Sequence, residues 1–318
     1  MIFDSYGDCI FYDGAMGTML QKAGLKPGER PDIMNMTAPG AVETIHRMYV
    51  EAGCDIICTN TFGANAKALC GTGYSPGDII KAAVAIAKNA AKGATSIALD
   101  IGPLGLLLKP LGDLDFNTVY DLFKEQATAG EKAGVDFAAI ETMSDIIELK
   151  AAILAVIENT KLPVLASMTF DKIGRTYLGA TPEDFAKTAE QLGASATGIN
   201  CSLEPAEMYP TVERIAKTTD LPLIIKPNAG LPDSVTGQYS ISPVEFARQM
   251  AQFSVFGSSN RQSFQNDEIS DPSHPPSPLP YPPIHDPLGA PHPHRLIVGG
   301  CCGTTPEYIY ELRKVFTV

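Results

Sequence analysis

The sequence predicts a (β/α)8 barrel formed by a single domain, residues 1–318, with one insertion late in the chain. Short β-rich apolar runs alternate with helical patterns along the whole sequence, and eight strand–helix units can be counted. Such alternation is typical of parallel strands, and eight units favour a closed barrel over the alternative, an open doubly wound sheet. The length of 318 residues also fits one barrel domain.

Each unit is recognised from its local pattern. The strands are short apolar runs, predicted at 9–12, 55–58, 96–99, 136–140, 163–169, 196–201, 222–226 and 295–298. The helices have apolar residues at helical spacing and are predicted at 41–52, 78–91, 117–133, 145–157, 182–192, 205–218, 243–252 and 306–315. The helix at 182–192 also has a start signal, Thr181-Pro182-Glu183-Asp184, in which proline takes a position whose N–H has no helical partner.

The composition narrows the possible partners and the compartment. A formal net charge of −12 argues against nucleic acid or an anionic membrane as a partner, because both attract basic surfaces. The sequence has no apolar segment long enough to span a bilayer and no signal-peptide pattern at its start, so we expect a cytoplasmic protein. Seven cysteines, an odd number, fit reduced thiols better than a disulfide framework.

One segment, residues 254–294, breaks the alternation between the seventh helix and the eighth strand. It is rich in Ser, Asn and Gln and then in Pro, and it contains four of the five histidines. This composition cannot pack a core, so we expect disorder or partial polyproline II structure at the bottom face of the barrel. The position disfavours the histidines as ligands of a metal at the top face. A partner-binding arm, a disordered filler and an error in the coding sequence all fit this composition.

Polar residues stand at the ends of the predicted strands. They are Asp13, Asn60, Asp100, Glu141, Thr169, Asn200, Cys201, Asn228, Cys301 and Cys302. A preference of turns for Asp and Asn explains any one of them, but it explains the whole set poorly. In a barrel the carboxyl ends of the strands and the loops that follow build the active site. We therefore expect these side chains to meet at one face.

Three cysteines in this set predict a metal centre. Cys301 and Cys302 are adjacent, between a strand and a helix start, and Cys201 follows the sixth strand. Three thiolates select a soft or borderline ion, and Zn2+ fits best where no redox chemistry is needed. A fourth position left open is typical of a catalytic site. We interpret the other four cysteines as packing residues, with Cys54 and Cys58 as a weak second candidate for a metal site.

The charge of such a centre indicates its chemistry. Three thiolates give Zn2+ a net charge of −1, which makes the ion a poor activator of water. A substrate thiol, with an ordinary pKa of about 8.5, would instead bind as a thiolate and stay nucleophilic. The sequence therefore favours alkylation of a thiol over hydrolysis.

The motifs resemble those of the homocysteine S-methyltransferase family over the whole chain apart from 254–294. They are DGAMGT at 13–18, TNTFGAN at 59–65, DIGP at 100–103, ET at 141–142, GINCS at 198–202, PNAG at 227–230 and GGCCGTT at 299–305. The GINCS and GGCCGTT motifs together are highly specific. The stretches 24–30 and 35–39 are similar to the homocysteine-binding module of cobalamin-dependent methionine synthase.

The resemblance implies that a zinc-bound homocysteine thiolate attacks an activated methyl group in line and gives methionine. It makes Cys201, Cys301 and Cys302 the zinc ligands. It places the amino-acid end of homocysteine against Asp13, the Gly14 backbone and Glu141, with the carboxylates facing the ammonium group, and Asn228 and Ala229 are weaker candidates for orienting that end. Asn60, Thr61 and Asp100 are expected to shape the pocket.

The methyl donor is expected to come from outside this chain. The sequence has no recognisable folate, corrinoid or activation module after the last helix, so the resemblance favours a separate methylated corrinoid protein, or else a small methyl-sulfonium compound. Two other hypotheses stay open: a zinc-dependent barrel hydrolase that activates water, and a non-catalytic zinc protein whose Pro-rich arm binds a partner.

Overall fold

The barrel predicted from the sequence is present in the computed structural model, which describes residues 2–233, 236–257 and 294–317. Within these residues eight parallel strands form one sheet in the order β1-β8-β7-β6-β5-β4-β3-β2. They are β1 (Cys9–Phe11), β2 (Ile56–Cys58), β3 (Ser96–Ile101), β4 (Phe137–Met143), β5 (Val164–Met168), β6 (Ala196–Asn200), β7 (Leu223–Lys226) and β8 (Leu296–Val298). A parallel bridge between Tyr12 and Ile56 joins β1 to β2 and closes the barrel.

The helices surround this sheet. They are α1 (Gly17–Lys22), α2 (Met34–Thr37), α3 (Pro39–Glu51), α4 (Pro76–Ala91), α5 (Phe116–Ala133), α6 (Ile146–Asn159), α7 (Pro182–Gln191), α8 (Pro205–Ala216), α9 (Pro243–Met250) and α10 (Pro306–Phe316). The eight predicted helices agree with α3 to α10 within two residues at each end. The sequence missed α1 and α2 because such short helices show no clear periodicity. None of the helices described is long and apolar enough to cross a membrane.

Local capping explains why several helices begin where they do. At α7 the Thr181 hydroxyl accepts the N–H of Asp184, and the Asp184 carboxylate accepts the N–H of Thr181. This reciprocal pair satisfies two N–H groups that the first turn of a helix leaves without partners. The start signal predicted at this helix is confirmed, and Ser75 and Asp78 repeat the arrangement at α4.

The inside of the barrel is filled by side chains that alternate along the strands, among them Ile10, Ile56 and Ile297, all fully buried. Phe3 closes the bottom by stacking on Phe137 at a ring-centroid distance of 6.0 Å. Strand β6 approaches its neighbour so closely that a Cβ on Gly198 would lie 1.9 Å from the Ile224 carbonyl oxygen. Only glycine fits at that position.

Both ends of the segment predicted at 254–294 belong to the folded barrel in the structure. Residues 254–256 belong to a 3-10 helix, Ala251–Phe256, and Gly257 pairs with His294 in a parallel bridge. The rings of Phe253 and Phe256 pack against Tyr209 at ring-centroid distances of 5.8 and 5.4 Å. The two phenylalanines are therefore part of the core, although a Ser-rich run follows them. Disorder was predicted for the whole of 254–294, and its remaining residues, 258–293, lie outside the described part of the chain.

His294, which the sequence grouped with the insertion, is a buried part of the barrel. Its two ring nitrogens lie 2.9 and 3.1 Å from the carbonyl oxygens of Leu221 and Ala216. These contacts tie the start of β8 to the connection between α8 and β7. Each ring nitrogen of His294 therefore already has a partner.

His46 in α3 should make the protein sensitive to acid. The side chain is fully buried, its nitrogens have no partner among the described residues, and burial lowers its pKa from 6.5 to about 4. Because the unfolded chain therefore binds the proton more readily, stability is lost as the pH falls from 6.5 towards 4. In urea unfolding at pH 7 and pH 5, His46→Leu should reduce this loss by on the order of 1–2 kcal/mol. An identical pH dependence in the variant would contradict this prediction.

Candidate metal centre and active site

The three cysteines predicted as ligands come together at the top of the barrel. Cys201 directly follows β6, Cys301 and Cys302 follow β8, and their sulfur atoms all lie within 4.8 Å of one another. The Sγ atoms of Cys201 and Cys302 are 3.8 Å apart. A tetrahedral ion with zinc–sulfur bonds of about 2.3 Å requires sulfur atoms about 3.8 Å apart. The three thiols therefore fit a single ion of this kind.

The backbone around these cysteines is held in place by the loop after β7. The N–H of Cys302 donates to the side-chain oxygen of Asn228 at 3.0 Å, and the N–H of Cys301 donates to the Pro227 carbonyl at 2.8 Å. Cys201 and Ser202 have φ angles of 62° and 60°, a left-handed conformation that is uncommon outside glycine. Backbone strain of this kind concentrates at functional sites, where surrounding contacts maintain it.

Asn200, at the end of β6, connects β4 and β5 to the cysteine site. Its side-chain oxygen accepts hydrogen bonds from the Thr142 N–H and the Ser167 hydroxyl, both at 2.8 Å. Its amide nitrogen donates to the Thr142 hydroxyl at 2.7 Å and faces the Cys301 sulfur at 3.9 Å. The side chain is fully buried, so these bonds fix its orientation.

The pKa values of the three thiols depend on one another. Hydrogen bonds from Cys301 and Cys302 lower the pKa of Cys201 to about 3. The hydrogen bond from Cys302 to Cys201 raises the pKa of Cys302 to about 11. The hydrogen bond from Cys301 to Cys201 raises the pKa of Cys301 well above its usual range. A cation bound at this place would remove the remaining protons, because a metal ion binds the thiolate form.

An acidic cavity of about 560 Å³ adjoins the cysteines. Asp13, Asp100 and Glu141 line it, and the two aspartates are almost completely buried. One oxygen of Asp13 accepts the N–H of Cys58 at 2.7 Å, whereas its other oxygen and one oxygen of Asp100 have no partner within the described part of the chain. Buried oxygens of this kind require a donor. The cavity is therefore prepared for a cationic or hydrogen-bonding ligand.

The charges of this cavity depend on one another. Burial raises the pKa of Asp13 to about 7, and Lys226 counteracts part of that effect. Burial and the charge of Glu141 raise the pKa of Asp100 well above its usual range. Burial disfavours the charged form of Lys226, but the negative charges of Glu141, Cys58, Asp13 and Cys301 together outweigh burial and raise the pKa of Lys226. The Lys226 ammonium lies 2.7 Å from a Glu141 oxygen and 4.2 Å above the centre of the Tyr12 ring.

Of the other predicted site residues, some line the cavity and some lie beside the cysteines. Gly14 lines the cavity, and a Cβ there would lie 2.5 Å from the Thr304 hydroxyl, so a larger residue would clash. Asn60 also lines the cavity. Asn228 and Ala229 are buried beside the cysteines, outside the residues that line the cavity. Asn228 contacts the Cys302 backbone there, and both residues stay predictions as substrate groups.

Sequence reasoning missed several residues of this site. Lys226 was recognised only as the end of the seventh strand, Asn200 was not given its connecting role, and Cys58 was interpreted as packing although it lines the cavity. The position of Lys226 at the carboxyl end of a strand was the signal that could have identified it. The packing interpretation of Cys70 is wrong, because its side chain is exposed.

A second group could in principle hold a metal ion. Ligand atoms of Cys58, Asp100 and Glu141 lie within 4.8 Å of one another. The Lys226 ammonium already contacts Glu141 at 2.7 Å, so a cation stands beside this group in the protein itself. A metal ion would have to overcome the repulsion of that charge. The three cysteines are the better metal site.

Comparisons with known proteins agree with this geometry. A family model described as homocysteine S-methyltransferase matches residues 10–316. The chain is 32% identical over 324 residues to methionine synthase from Mycobacterium leprae, covering 94% of this chain and 24% of that protein. Methionine synthase from Mycobacterium tuberculosis gives the same identity and the same coverage. The chain thus spans about a quarter of the length of these relatives.

Solved structures show the same fold. The homocysteine methyltransferase MmuM from Escherichia coli in its metallated form superposes with a TM-score of 0.74 at 18% identity, covering 99% of both chains. Its oxidized form gives a TM-score of 0.73 at 18% identity, covering 98% of this chain and 97% of that chain. With a family model that matches nearly its whole length, the chain belongs to the homocysteine S-methyltransferase family.

Proposed function

We propose that this chain transfers a methyl group to the thiol of homocysteine to give methionine, with Zn2+ held by Cys201, Cys301 and Cys302. The observation that carries the proposal is the set of three sulfur atoms at the spacing of a single tetrahedral ion, beside a cavity with unpartnered carboxylate oxygens. Membership of the family supports homocysteine as the methyl acceptor.

The donor atoms favour zinc over other ions. Thiolate ligands disfavour the hard ions Mg2+ and Ca2+, and three protein ligands leave one position of a tetrahedral zinc ion for a substrate. Bound there, Zn2+ would hold the homocysteine sulfur as a nucleophilic thiolate near neutral pH. The hydrogen bonds to the Cys301 and Cys302 backbone keep the ligands in place, and the Asn200 amide donates towards the Cys301 sulfur.

The cavity would orient the amino-acid end of the substrate. We infer that Asp13 and Glu141 accept the ammonium group, because both line the cavity and Asp13 has an oxygen without a partner. The thiol gives up its proton to solvent water before the reaction. A bond then forms between the sulfur and the methyl carbon, while the bond from that carbon to the donor breaks and its electron pair leaves with the donor.

The donor proposed first is a methylated corrinoid protein, and a small methyl-sulfonium compound is the second candidate. Similarity to methionine synthases supports the first, since those relatives are much longer than this chain. A cavity of about 560 Å³ also has room for a small donor next to homocysteine, which supports the second. An assay of the zinc-loaded protein with homocysteine and each donor in turn separates them.

A spectroscopic titration tests the acceptor independently of the donor. In the Co2+-substituted protein, L-homocysteine should change the visible spectrum, because a fourth sulfur replaces a weaker ligand at the ion. L-homoserine, which has a hydroxyl in place of the thiol, is the matched control and should leave the spectrum nearly unchanged. A spectrum that does not respond to homocysteine would contradict the proposal and favour the hydrolase hypothesis.

The third hypothesis, a Pro-rich arm that binds a partner, concerns 258–293. Those residues lie outside the described part of the chain. A set of three protein ligands, which would leave one position of a tetrahedral ion open, and the acidic cavity beside it favour an enzyme over a non-catalytic zinc protein.

A further inference from the structure

Thr304, two positions after the cysteine pair, joins two loops of the candidate site. We call these the β1 loop (residues 12–16) and the β8 loop (residues 299–305), after the strands that they follow. The Thr304 side chain is fully buried. Its hydroxyl donates to the Cys301 carbonyl oxygen in the β8 loop at 2.7 Å and accepts the N–H of Ala15 in the β1 loop at 3.2 Å. One hydroxyl group therefore bridges the two loops.

A second bridge between the loops comes from Tyr49 in α3. Its side chain is also fully buried. The hydroxyl lies 3.0 Å from the Ala15 carbonyl oxygen in the β1 loop and 3.2 Å from the Thr304 carbonyl oxygen in the β8 loop, so it can donate to either. The Gly300 N–H adds a backbone bond to the Asp13 carbonyl at 3.1 Å. The two loops are thus connected by side chains as well as by the backbone.

The loops approach each other closely around these hydroxyls. A Cβ on Gly14 would lie 2.5 Å from the Thr304 hydroxyl and 2.9 Å from the Tyr49 hydroxyl. A Cβ on Gly300 would also clash with the Thr304 side chain. Glycine at these two positions therefore leaves the space that the hydroxyls occupy. Because buried polar groups without partners are costly, the bridged arrangement is the stable one.

The two loops carry opposite ends of the proposed substrate site. Cys301 and Cys302 lie in the β8 loop, and Asp13 lies in the β1 loop. An amino-acid thiol that uses both must span the gap between the metal and Asp13. Homocysteine has one methylene more than cysteine, which changes its reach by about one C–C bond, roughly 1.5 Å. A fixed spacing between the loops therefore distinguishes the two thiols, whereas a variable spacing accepts both.

We propose that Thr304 is a positioning residue that fixes the spacing between the metal ligands and Asp13, and that this spacing selects homocysteine over cysteine. Tyr49 supports the same spacing from α3. Neither residue is among those that line the cavity, so both act through the loops that they connect. This inference rests on the proposed function, since it takes homocysteine as the thiol that enters the site.

The test measures the affinities of L-homocysteine and L-cysteine for the Co2+-substituted protein by visible spectroscopy. The unaltered protein should prefer homocysteine by roughly 10- to 200-fold, the range that one methylene group contributes in a fitted site. Thr304→Val keeps nearly the same shape but removes both hydrogen bonds of the hydroxyl. It should reduce the preference by about 10-fold, because the loops can then adjust to the shorter thiol. Thr304→Ser keeps the hydroxyl and should retain most of the preference.

Two further variants separate this positioning role from a loss of structure. Thr197→Val removes an equally buried hydroxyl from β6, one without a partner among the described residues, and should leave the preference unchanged. Tyr49→Phe removes the second bridge while Thr304 stays, and should lower the preference as Thr304→Val does. Cobalt content and thermal unfolding of each variant show whether the site is intact. If Thr304→Val does not fold, Tyr49→Phe decides the question.

Three outcomes would overturn the inference. An unchanged preference in a folded, cobalt-loaded Thr304→Val protein would mean that other contacts set the spacing. Equal weakening of both thiols would mean that Thr304 only stabilises the metal ligands. Equal affinities in the unaltered protein would mean that the spacing does not select between the thiols. If the spectrum of the unaltered protein does not respond to homocysteine at all, the proposed function itself is refuted, and this inference with it.

Discussion

Replacing Cys302 with serine is expected to abolish stoichiometric metal binding and to reduce methyl transfer to homocysteine by roughly 1,000-fold or more, equivalent to at least about 4 kcal/mol of transition-state stabilisation. The Cys302 sulfur lies 3.8 Å from that of Cys201, and the three sulfurs form one set. A serine hydroxyl does not ionise near neutral pH and is a poor ligand for a soft ion. Zinc content measured by elemental analysis, together with turnover, checks this expectation.

Two serine variants serve as controls for that experiment. Cys70→Ser changes an exposed thiol away from the site and should keep both metal and activity. Cys58→Ser removes a sulfur from the competing group of Cys58, Asp100 and Glu141 and should keep the metal. A Cys302→Ser protein that still holds one zinc ion per chain, or a Cys58→Ser protein that loses it, would show that the metal site has been assigned to the wrong cysteines.

Replacing Asp13 with asparagine is expected to weaken homocysteine binding by about 100-fold, because the substrate ammonium loses a buried charged partner. It should also change the pH dependence of stability. The pKa of Asp13 is raised from 3.8 to about 7 by burial, so the unaltered protein loses stability as the pH rises through this range. Asparagine carries no proton to lose, so between pH 5 and pH 8 the variant should lose on the order of 2–3 kcal/mol less stability than the unaltered protein.

The control for this substitution lies at the opposite end of the barrel. Asp136 accepts the N–H of Ile97 at 2.8 Å, as Asp13 accepts the N–H of Cys58, and it lies outside the active-site cavity. Asp136→Asn should leave homocysteine binding unchanged. The readouts are thiol titration of the Co2+ form and urea unfolding at pH 5 and pH 8. Equal effects of the two substitutions on binding would argue against a direct contact between Asp13 and the substrate.

Much of this architecture could be predicted because its signals are local. Apolar periodicity and capping residues depend on neighbours only a few positions away, and the eight main helices were found within two residues at each end. The cluster of three thiols was also predictable. Once the chain alternates strands and helices, the ends of parallel strands meet at one face, and Cys201, Cys301 and Cys302 stand at two such ends.

The short helices and the edges of the insertion were less predictable. Helix α1 has six residues, fewer than a periodic pattern needs to be recognised. Residues 254–257 were assigned to the insertion because a run rich in Ser, Asn and Gln follows them. Their place in the fold comes from the stacking of Phe253 and Phe256 on Tyr209, a contact with a distant helix that composition does not reveal.

The sequence by itself determined the barrel, the order of its elements and the three thiols that are the candidate metal ligands. Only the tertiary structure decided which polar groups pair inside the cavity. Lys226 and Glu141 are 85 positions apart, and Asn228 and Cys302 are 74 positions apart, yet each pair is joined by one hydrogen bond. Such pairing depends on strand register and on side-chain packing between neighbouring loops. These are properties of the folded barrel, and no local pattern in the chain encodes them.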